Sequence, residues 1–83
     1  MRLLIVEDEK ELCDTVAKSL YGAGYEVDTC YDGDEALDYI LSDDYDLIVL
    51  DLNLPGTDGM DILRELRKKN EETKVLILSA RSQ

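Results

Sequence analysis

Residues 47–59 read LIVLDLNLPGTDG and join a short apolar run to a loop of turn-forming residues. The apolar run ends at Asp51, and Pro55, Gly56 and Gly59 follow it. A short apolar run bounded by turn residues is typical of a strand that is buried on both faces of a sheet. Asp51 therefore stands where a buried strand leaves the core, and its charge at that point needs a chemical or structural explanation.

Other strands are predicted elsewhere in the chain. Residues 2–6 and 75–78 repeat the apolar pattern, whereas residues 25–30 alternate in the way that is typical of a half-exposed edge strand. Between the strands, apolar residues recur at helical spacing in three stripes: Leu12, Cys13, Val16, Ala17 and Leu20; Ala36, Leu37, Ile40 and Leu41; Met60, Leu63 and Leu66. This alternation predicts an α/β fold with a parallel sheet and helices on its faces.

The strand patterns also predict the order of the strands. The alternating second strand belongs at an edge, and each of the other strands should be flanked and covered. The flavodoxin-like order 2-1-3-4 meets these requirements for the first three strands. It leaves the fourth strand at an edge with an apolar face uncovered. We therefore expect that at least one strand and one or two helices of the fold are missing from these 83 residues.

The composition excludes several classes of protein. A formal net charge of −11 argues against binding of nucleic acid by this segment, and 45% hydrophobic residues argue for a folded core. The chain has no histidine, so a His-based triad and a His-ligated zinc site are excluded. Cys13 and Cys30 are not spaced like a metal site, and we expect buried thiols rather than a disulfide. Because no apolar run has membrane-spanning length and no signal-peptide pattern is present, we expect a cytoplasmic protein without membrane contact.

Carboxylates follow two of the buried strands. Glu7 and Asp8 end the first strand, and Asp51 ends the third. In the order 2-1-3-4 these strands are neighbours, and open parallel sheets bind ligands in the crevice at such a switch point. Three carboxylates in one crevice repel one another, and a hard divalent cation such as Mg²⁺ would relieve that repulsion. Asp51 would then lie beside a metal, where a carboxylate can act as a nucleophile toward phosphorus.

A purely structural role is the main alternative, because acidic residues at strand ends often form turns or helix N-caps. That role is favoured for Asp8 or Asp51 taken alone, whereas the set of three carboxylates favours a functional site. Two known kinds of site do not fit. A calcium loop would need a ligand at Pro55 and a glutamate at Ile62. A phosphatase of the haloacid-dehalogenase type would need an aspartate at Asn53.

Three segments of the chain resemble the receiver domains of bacterial two-component response regulators. They are LLIVEDE at residues 3–9, DLIVLDLNLPGTDGMDIL at residues 46–63 and VLILSAR at residues 75–81. The middle segment is the most specific, because an aspartate after an apolar strand is followed there by the Pro-Gly and Gly spacing. These segments are most similar to those of receivers from winged-helix transcription regulators.

The resemblance implies roles for the acidic residues. Asp51 would be the phosphoacceptor, which a sensor histidine kinase phosphorylates with Mg²⁺ as the cofactor. Glu7 and Asp8 would form the acidic pair, and Asp8 would be the direct metal ligand. Asn53 would give its backbone carbonyl to the metal. A receiver is a signalling domain and is not expected to be an enzyme beyond its own phosphorylation and dephosphorylation.

The resemblance also implies roles around the phosphoryl group. Ser79 would supply the switch hydroxyl that hydrogen-bonds the phosphoryl group, and it could also cap a following helix. Ala80 would leave room for the phosphoryl group. Pro55 and Gly59 would shape the loop after Asp51.

The chain departs from a complete receiver in its last third. A complete receiver has five strands and a lysine before the fifth, and Lys74 stands at the wrong end of the sheet to replace it. We therefore expect residues 1–83 to be the first part of a receiver without an effector domain, to bind magnesium, and to be phosphorylated poorly. The alternatives are a folding or assembly unit that forms a homodimer through the fourth strand, and a chain whose fourth strand is frayed.

Overall fold

A computed structural model describes residues 1–79, with side chains up to residue 78. Strands and helices alternate strictly in this part of the chain. The strands are β1 (Arg2–Val6), β2 (Glu26–Cys30), β3 (Leu47–Asp51) and β4 (Lys74–Ser79). The helices are α1 (Lys10–Gly22), α2 (Gly33–Ser42) and α3 (Gly59–Lys69). No helix in this range is long and apolar enough to cross a membrane.

The sheet confirms the predicted fold and strand order. All strand pairs are parallel, and the order is β2-β1-β3-β4. Val6 of β1 lies opposite Leu50 of β3, so the ends of these two strands are level. Between β3 and β4 the register shifts after Leu50, and Asp51 is paired with Ser79.

The core lies on both faces of the sheet. On one face, α2 and α3 pack on alternate residues of β1 and β3, among them Leu4 and Leu50. On the other face, Cys13 of α1 packs against Ile5 and Val49. A sheet covered on both faces explains why β1 and β3 are continuously apolar.

The predicted helix stripes are wrong at particular positions. Leu12, Leu41 and Met60 are exposed, because each lies on the flank of its helix rather than on the side that faces the sheet. In α3, Ile62 and Leu66 are buried against the core. The stripe predicted from the sequence included Leu66 but not Ile62.

The two cysteines are free and buried, as predicted. Burial raises the pKa of the Cys13 thiol to about 11 and that of Cys30 to about 12. Both thiols therefore stay protonated at neutral pH and pack as small hydrophobes.

Strand β4 lies at the edge of the sheet within the described residues. Its apolar side chains are largely in contact with solvent: Leu76 is 54% exposed, Ile77 40% and Leu78 43%. Residues of this kind are usually covered, so the prediction of an uncovered apolar face at β4 is confirmed for the described part of the chain.

Helix α2 ends against a lysine from α3. The Lys69 ammonium group donates to the backbone oxygens of Ile40 and Asp43, each at 2.6 Å. These carbonyls belong to the end of α2, where the backbone has no partners of its own within the helix. Lys69 therefore joins the ends of two neighbouring helices.

We expect Lys69→Met to lower the free energy of unfolding by about 1–3 kcal/mol, because two carbonyls lose a charged donor. Urea denaturation measures this change. Lys68→Met is the control, since Lys68 is 74% exposed and its ion pair among the described residues is with Glu65 of the same helix. The control should change stability by less than about 0.5 kcal/mol. Equal losses in the two variants would show that the contact of Lys69 with α2 contributes little.

Candidate functional site

The carboxyl ends of β1 and β3 bring the three predicted acidic residues together. Carboxylate oxygens of Glu7, Asp8 and Asp51 all lie within 4.8 Å of one another. Glu7 and Asp51 are buried, with 6% and 8% of their surface exposed, whereas Asp8 is exposed. Two carboxylates of the cluster are thus buried, and the third is open to solvent.

The cluster changes the acidity of Glu7. The pKa of the Glu7 carboxyl is raised from 4.5 to about 7, chiefly by burial and next by a hydrogen bond with the Asp51 carboxyl. The backbone N–H of Glu9 donates to Glu7 at 3.3 Å and opposes the shift. A carboxyl group with this pKa is partly protonated near neutral pH, so the cluster as it stands holds less than its full negative charge.

This shift predicts how stability depends on pH without divalent cations. The folded-state pKa of Glu7 lies above its unfolded value, so the folded state binds more protons between pH 4.5 and about 7. The contribution of Glu7 to stability is therefore complete at low pH and is lost as the pH rises through about 7. We expect Glu7→Gln to be more stable than the wild type at pH 8 by about 1–3 kcal/mol. Thermal unfolding in the presence of a metal chelator over this pH range tests the prediction, and Glu9→Gln, at an exposed position, is the control. Equal stability of Glu7→Gln and the wild type at pH 8 would contradict the prediction.

The loop after Asp51, residues 52–58, folds back on the carboxylate. The backbone N–H of Asn53 donates to Asp51 Oδ1 at 2.9 Å and fixes one carboxylate oxygen. Gly56 has a φ of +79°, which favours glycine, so the tight turn lies at Gly56. Asp58 then caps α3 by accepting from the N–H of Met60 at 2.8 Å. We call residues 52–58 the β3–α3 loop.

Gly59 has a packing role at the start of α3. A Cβ at Gly59 would lie 2.8 Å from the Cα of Leu52, so only glycine lets the helix start against the loop. This close approach gives a physical reason for the glycine at the position where the sequence predicted a loop-shaping residue.

Two of the predicted site residues fall at the limit of the described chain. The backbone of Ser79 is paired with Asp51, while its hydroxyl lies outside the described atoms. Ala80 also lies outside the described residues. Lys74 is paired with Leu47 at the opposite end of β3 from Asp51, as the sequence predicted.

One part of the site was missed by reasoning from the sequence. The N-terminus of α2 touches the β3–α3 loop: the N–H of Gly33 donates to the backbone oxygen of Pro55 at 2.9 Å. The carboxylate of Asp34 accepts from the N–H of Thr57 at 3.0 Å and from its hydroxyl at 2.5 Å. We call these hydrogen bonds the α2–loop contact. No sequence pattern predicts these hydrogen bonds, because Asp34 has the position of an ordinary acidic residue in the first turn of a helix.

The family model described as the response regulator receiver domain matches residues 3–83. The chain belongs to this family. It is a receiver domain of the two-component response regulators, a class of signalling domains rather than classical enzymes, as the resemblance predicted.

Curated relatives of the receiver are regulatory proteins. The transcriptional regulatory protein DltR of Streptococcus agalactiae is 45% identical over 83 residues, which are 100% of this chain and 37% of DltR. The regulatory protein VanRB of Enterococcus faecalis is 44% identical over 99% of this chain and 37% of VanRB. The receiver thus spans little more than a third of the length of the curated relatives that it matches.

Solved structures give the same fold. The response regulator TrrA of Thermotoga maritima, in complex with Mg²⁺-BeF, is 40% identical with a TM-score of 0.87, over 98% of this chain and 70% of that one. TrrA in complex with the histidine kinase ThkA is 39% identical with a TM-score of 0.84, over 99% of this chain and 71% of that one. The receiver architecture therefore extends across nearly all of this chain.

Proposed function

We propose that this receiver accepts a phosphoryl group on Asp51 from a sensor histidine kinase, with Mg²⁺ as the cofactor. The observation that carries the proposal is the set of Glu7, Asp8 and Asp51 oxygens within 4.8 Å of one another at the ends of two neighbouring strands. The solved complexes of TrrA with Mg²⁺-BeF and with a histidine kinase support the choice of cofactor and partner.

The donor set fits magnesium. The three side chains offer carboxylate oxygens, which are the ligands that hard divalent cations prefer, and the exposure of Asp8 leaves one side open to water and phosphate. Asp8 and Asp51 would hold the ion directly, with Glu7 beside them and the backbone carbonyl of Asn53 as a further ligand. Bound there, the ion would supply positive charge that offsets the charge of the carboxylates and of a phosphoryl group.

The side chains of this chain then have defined tasks. An oxygen of Asp51 attacks the phosphorus of a phosphohistidine, an O–P bond forms, the N–P bond breaks, and the imidazole nitrogen keeps the electron pair and takes up a proton. The hydrogen bond from the N–H of Asn53 orients the Asp51 carboxylate toward the attack. Burial of Asp51 keeps bulk water from most of its surface.

Three further assignments belong to the same proposal. The backbone pairing of Ser79 with Asp51 supports a role for the Ser79 hydroxyl beside the phosphoryl group, with Ala80 as its small neighbour. Residues 1–83 form the first part of a receiver that works in the cytoplasm, where its kinase would present phosphohistidine. Assayed by themselves, these 83 residues are phosphorylated slowly, because the lysine implied by the resemblance is not among them.

A magnesium titration followed by backbone amide NMR tests the proposal. We expect saturable shifts of the amides near Asp8, Asp51 and Asn53. We also expect incorporation of one phosphoryl group from a small phosphoramidate donor only when Mg²⁺ is present, in a linkage that alkali and hydroxylamine cleave. Amides of Glu26 and Val27, at the far end of the sheet, serve as internal controls. Shifts of equal size throughout the chain, or labelling that does not depend on Mg²⁺, would refute the site.

A second candidate function is self-association through β4. It is favoured by the exposed side chains of Leu76, Ile77 and Leu78 on a strand at the sheet edge. Two copies related by a two-fold axis would pair these strands in antiparallel fashion. Sedimentation at increasing concentration tests it: the wild type should dimerise and Leu76→Lys should not, with Leu41→Lys, on exposed α2 surface, as the control. A monomer at all concentrations would exclude this function.

A further inference from the structure

The α2–loop contact joins an element outside the acidic cluster to the segment that carries Asn53. Gly33 packs so closely that a Cβ there would lie 1.9 Å from the backbone oxygen of Thr57. Two hydrogen bonds from Thr57 to Asp34 and one from Gly33 to Pro55 complete the contact. Three hydrogen bonds and close backbone packing therefore fix residues 55–57 of the loop, while the loop begins next to Asp51 at residue 52.

The α2–loop contact stabilises the loop rather than the N-terminus of α2. Helix α2 is already capped by Asp32, whose side chain accepts from the N–H of Glu35 at 2.8 Å. Asp34 follows this cap and directs its carboxylate away from its own helix, onto Thr57. Its neighbour Glu35 is also acidic and exposed, and it has no side-chain hydrogen bond in the described structure. The two acidic residues of the same helical turn therefore differ in what they contact.

Other contacts hold the side of the loop nearer the sheet, where Leu52 and Leu54 pack against the hydrophobic core. Hydrogen bonds also join Asn53 to Asp51 and cap α3 at Asp58. Pro55 and Gly56 lie between these two hydrogen bonds, and Gly56 has a positive φ. A Cβ added to Gly56 would lie 3.2 Å from the Asp34 carboxylate. The part of the loop that faces α2 is therefore shaped by the packing against Asp34.

We infer that Asp34 is a positioning residue for the acidic site: through Thr57 it holds the β3–α3 loop so that Asn53 stays in place beside Asp51. This inference rests on the proposed function, because the purpose of the fixed loop is to present Asn53 and Asp51 to magnesium. Within the described residues the Asp34 carboxylate is hydrogen-bonded to Thr57, so its effect on the acidic cluster passes through the loop.

Four variants test the inference, with hydrogen exchange of the Asn53 amide as the first measurement. Without metal, Asp34→Ala should speed Asn53 exchange by about tenfold, and Glu35→Ala, which removes the same charge from the same turn, should leave it unchanged. Thr57→Val should give part of the effect, since it keeps the shape and the backbone N–H but loses the hydroxyl. Thr57→Ser keeps the hydroxyl and should behave like the wild type.

Magnesium affinity is the second measurement. Asp34→Ala should weaken magnesium binding about three- to tenfold relative to Glu35→Ala, which is the effect of losing one or two hydrogen bonds that hold the ligand loop. By linkage, magnesium should in turn slow exchange of the Gly33 and Thr57 amides in the wild type. A role in overall stability alone would speed exchange of core amides such as Ile5 as much as that of Asn53.

The outcomes separate the inference from the proposed function. If the wild type binds magnesium and Asp34→Ala binds it as tightly as Glu35→Ala, the positioning role is refuted. Equal acceleration of Ile5 and Asn53 exchange in Asp34→Ala refutes it as well. If the wild type binds no magnesium, the proposed function fails, while Asn53 exchange without metal still decides whether Asp34 holds the loop.

Discussion

Asp51→Asn should abolish phosphoryl incorporation and, in the absence of magnesium, make the fold more stable. The amide has no carboxylate oxygen to attack phosphorus, so no acyl phosphate forms. The gain in stability follows because Glu7 and Asp51 are both buried in one crevice, where a second negative charge is unfavourable. We expect an increase of about 1–3 kcal/mol in the free energy of unfolding at pH 8.

Urea denaturation with and without magnesium measures this effect. Magnesium should stabilise the wild type in proportion to the logarithm of its concentration and should stabilise Asp51→Asn much less. Asp38→Asn, on the exposed surface of α2, removes the same charge and should change neither stability nor labelling. Phosphoryl incorporation that persists in Asp51→Asn would place the acceptor on another residue. A less stable Asp51→Asn would show that the repulsion in the cluster is already relieved.

Gly33→Ala should displace the β3–α3 loop and weaken magnesium binding by tenfold or more. The added methyl group would lie 1.9 Å from the Thr57 oxygen and within 2.8 Å of two further backbone atoms of Thr57, so the backbone must move. We expect a loss of about 1–3 kcal/mol in stability from this overpacking. Because backbone atoms make the clash, a change of side-chain rotamer cannot relieve it.

Gly22→Ala is the matched control for this substitution. Gly22 is also a helical glycine, at the end of α1, and a Cβ there would meet nothing within 4 Å. The control should be as stable as the wild type or up to about 1 kcal/mol more stable, because alanine favours the helix. Amide NMR of the loop and a magnesium titration measure the difference. If both glycine variants bind magnesium like the wild type, the loop tolerates displacement and its close packing on α2 has no effect on the site.

The fold could be predicted to a large extent because it follows from local patterns. The continuous apolar runs of β1 and β3 identify strands covered on both faces, and the alternation after Tyr25 identifies an edge strand. These patterns were sufficient for the strand order, which is confirmed. The same reasoning failed for Met60 and Ile62, because the direction in which a helix faces the sheet is set by its packing and not by hydrophobicity alone.

The sequence by itself determined that carboxylates end two buried strands, and it thereby predicted the acidic cluster of Glu7, Asp8 and Asp51, since parallel strands align their ends by hydrogen bonding. Only the tertiary structure decided how deeply Glu7 is buried and hence that its pKa rises to about 7. It alone also decided that Asp34 reaches Thr57, 23 residues away in the chain. The physical reason is that burial and long-range hydrogen bonds arise when separate elements dock, whereas a sequence pattern reports only the period and the ends of each element.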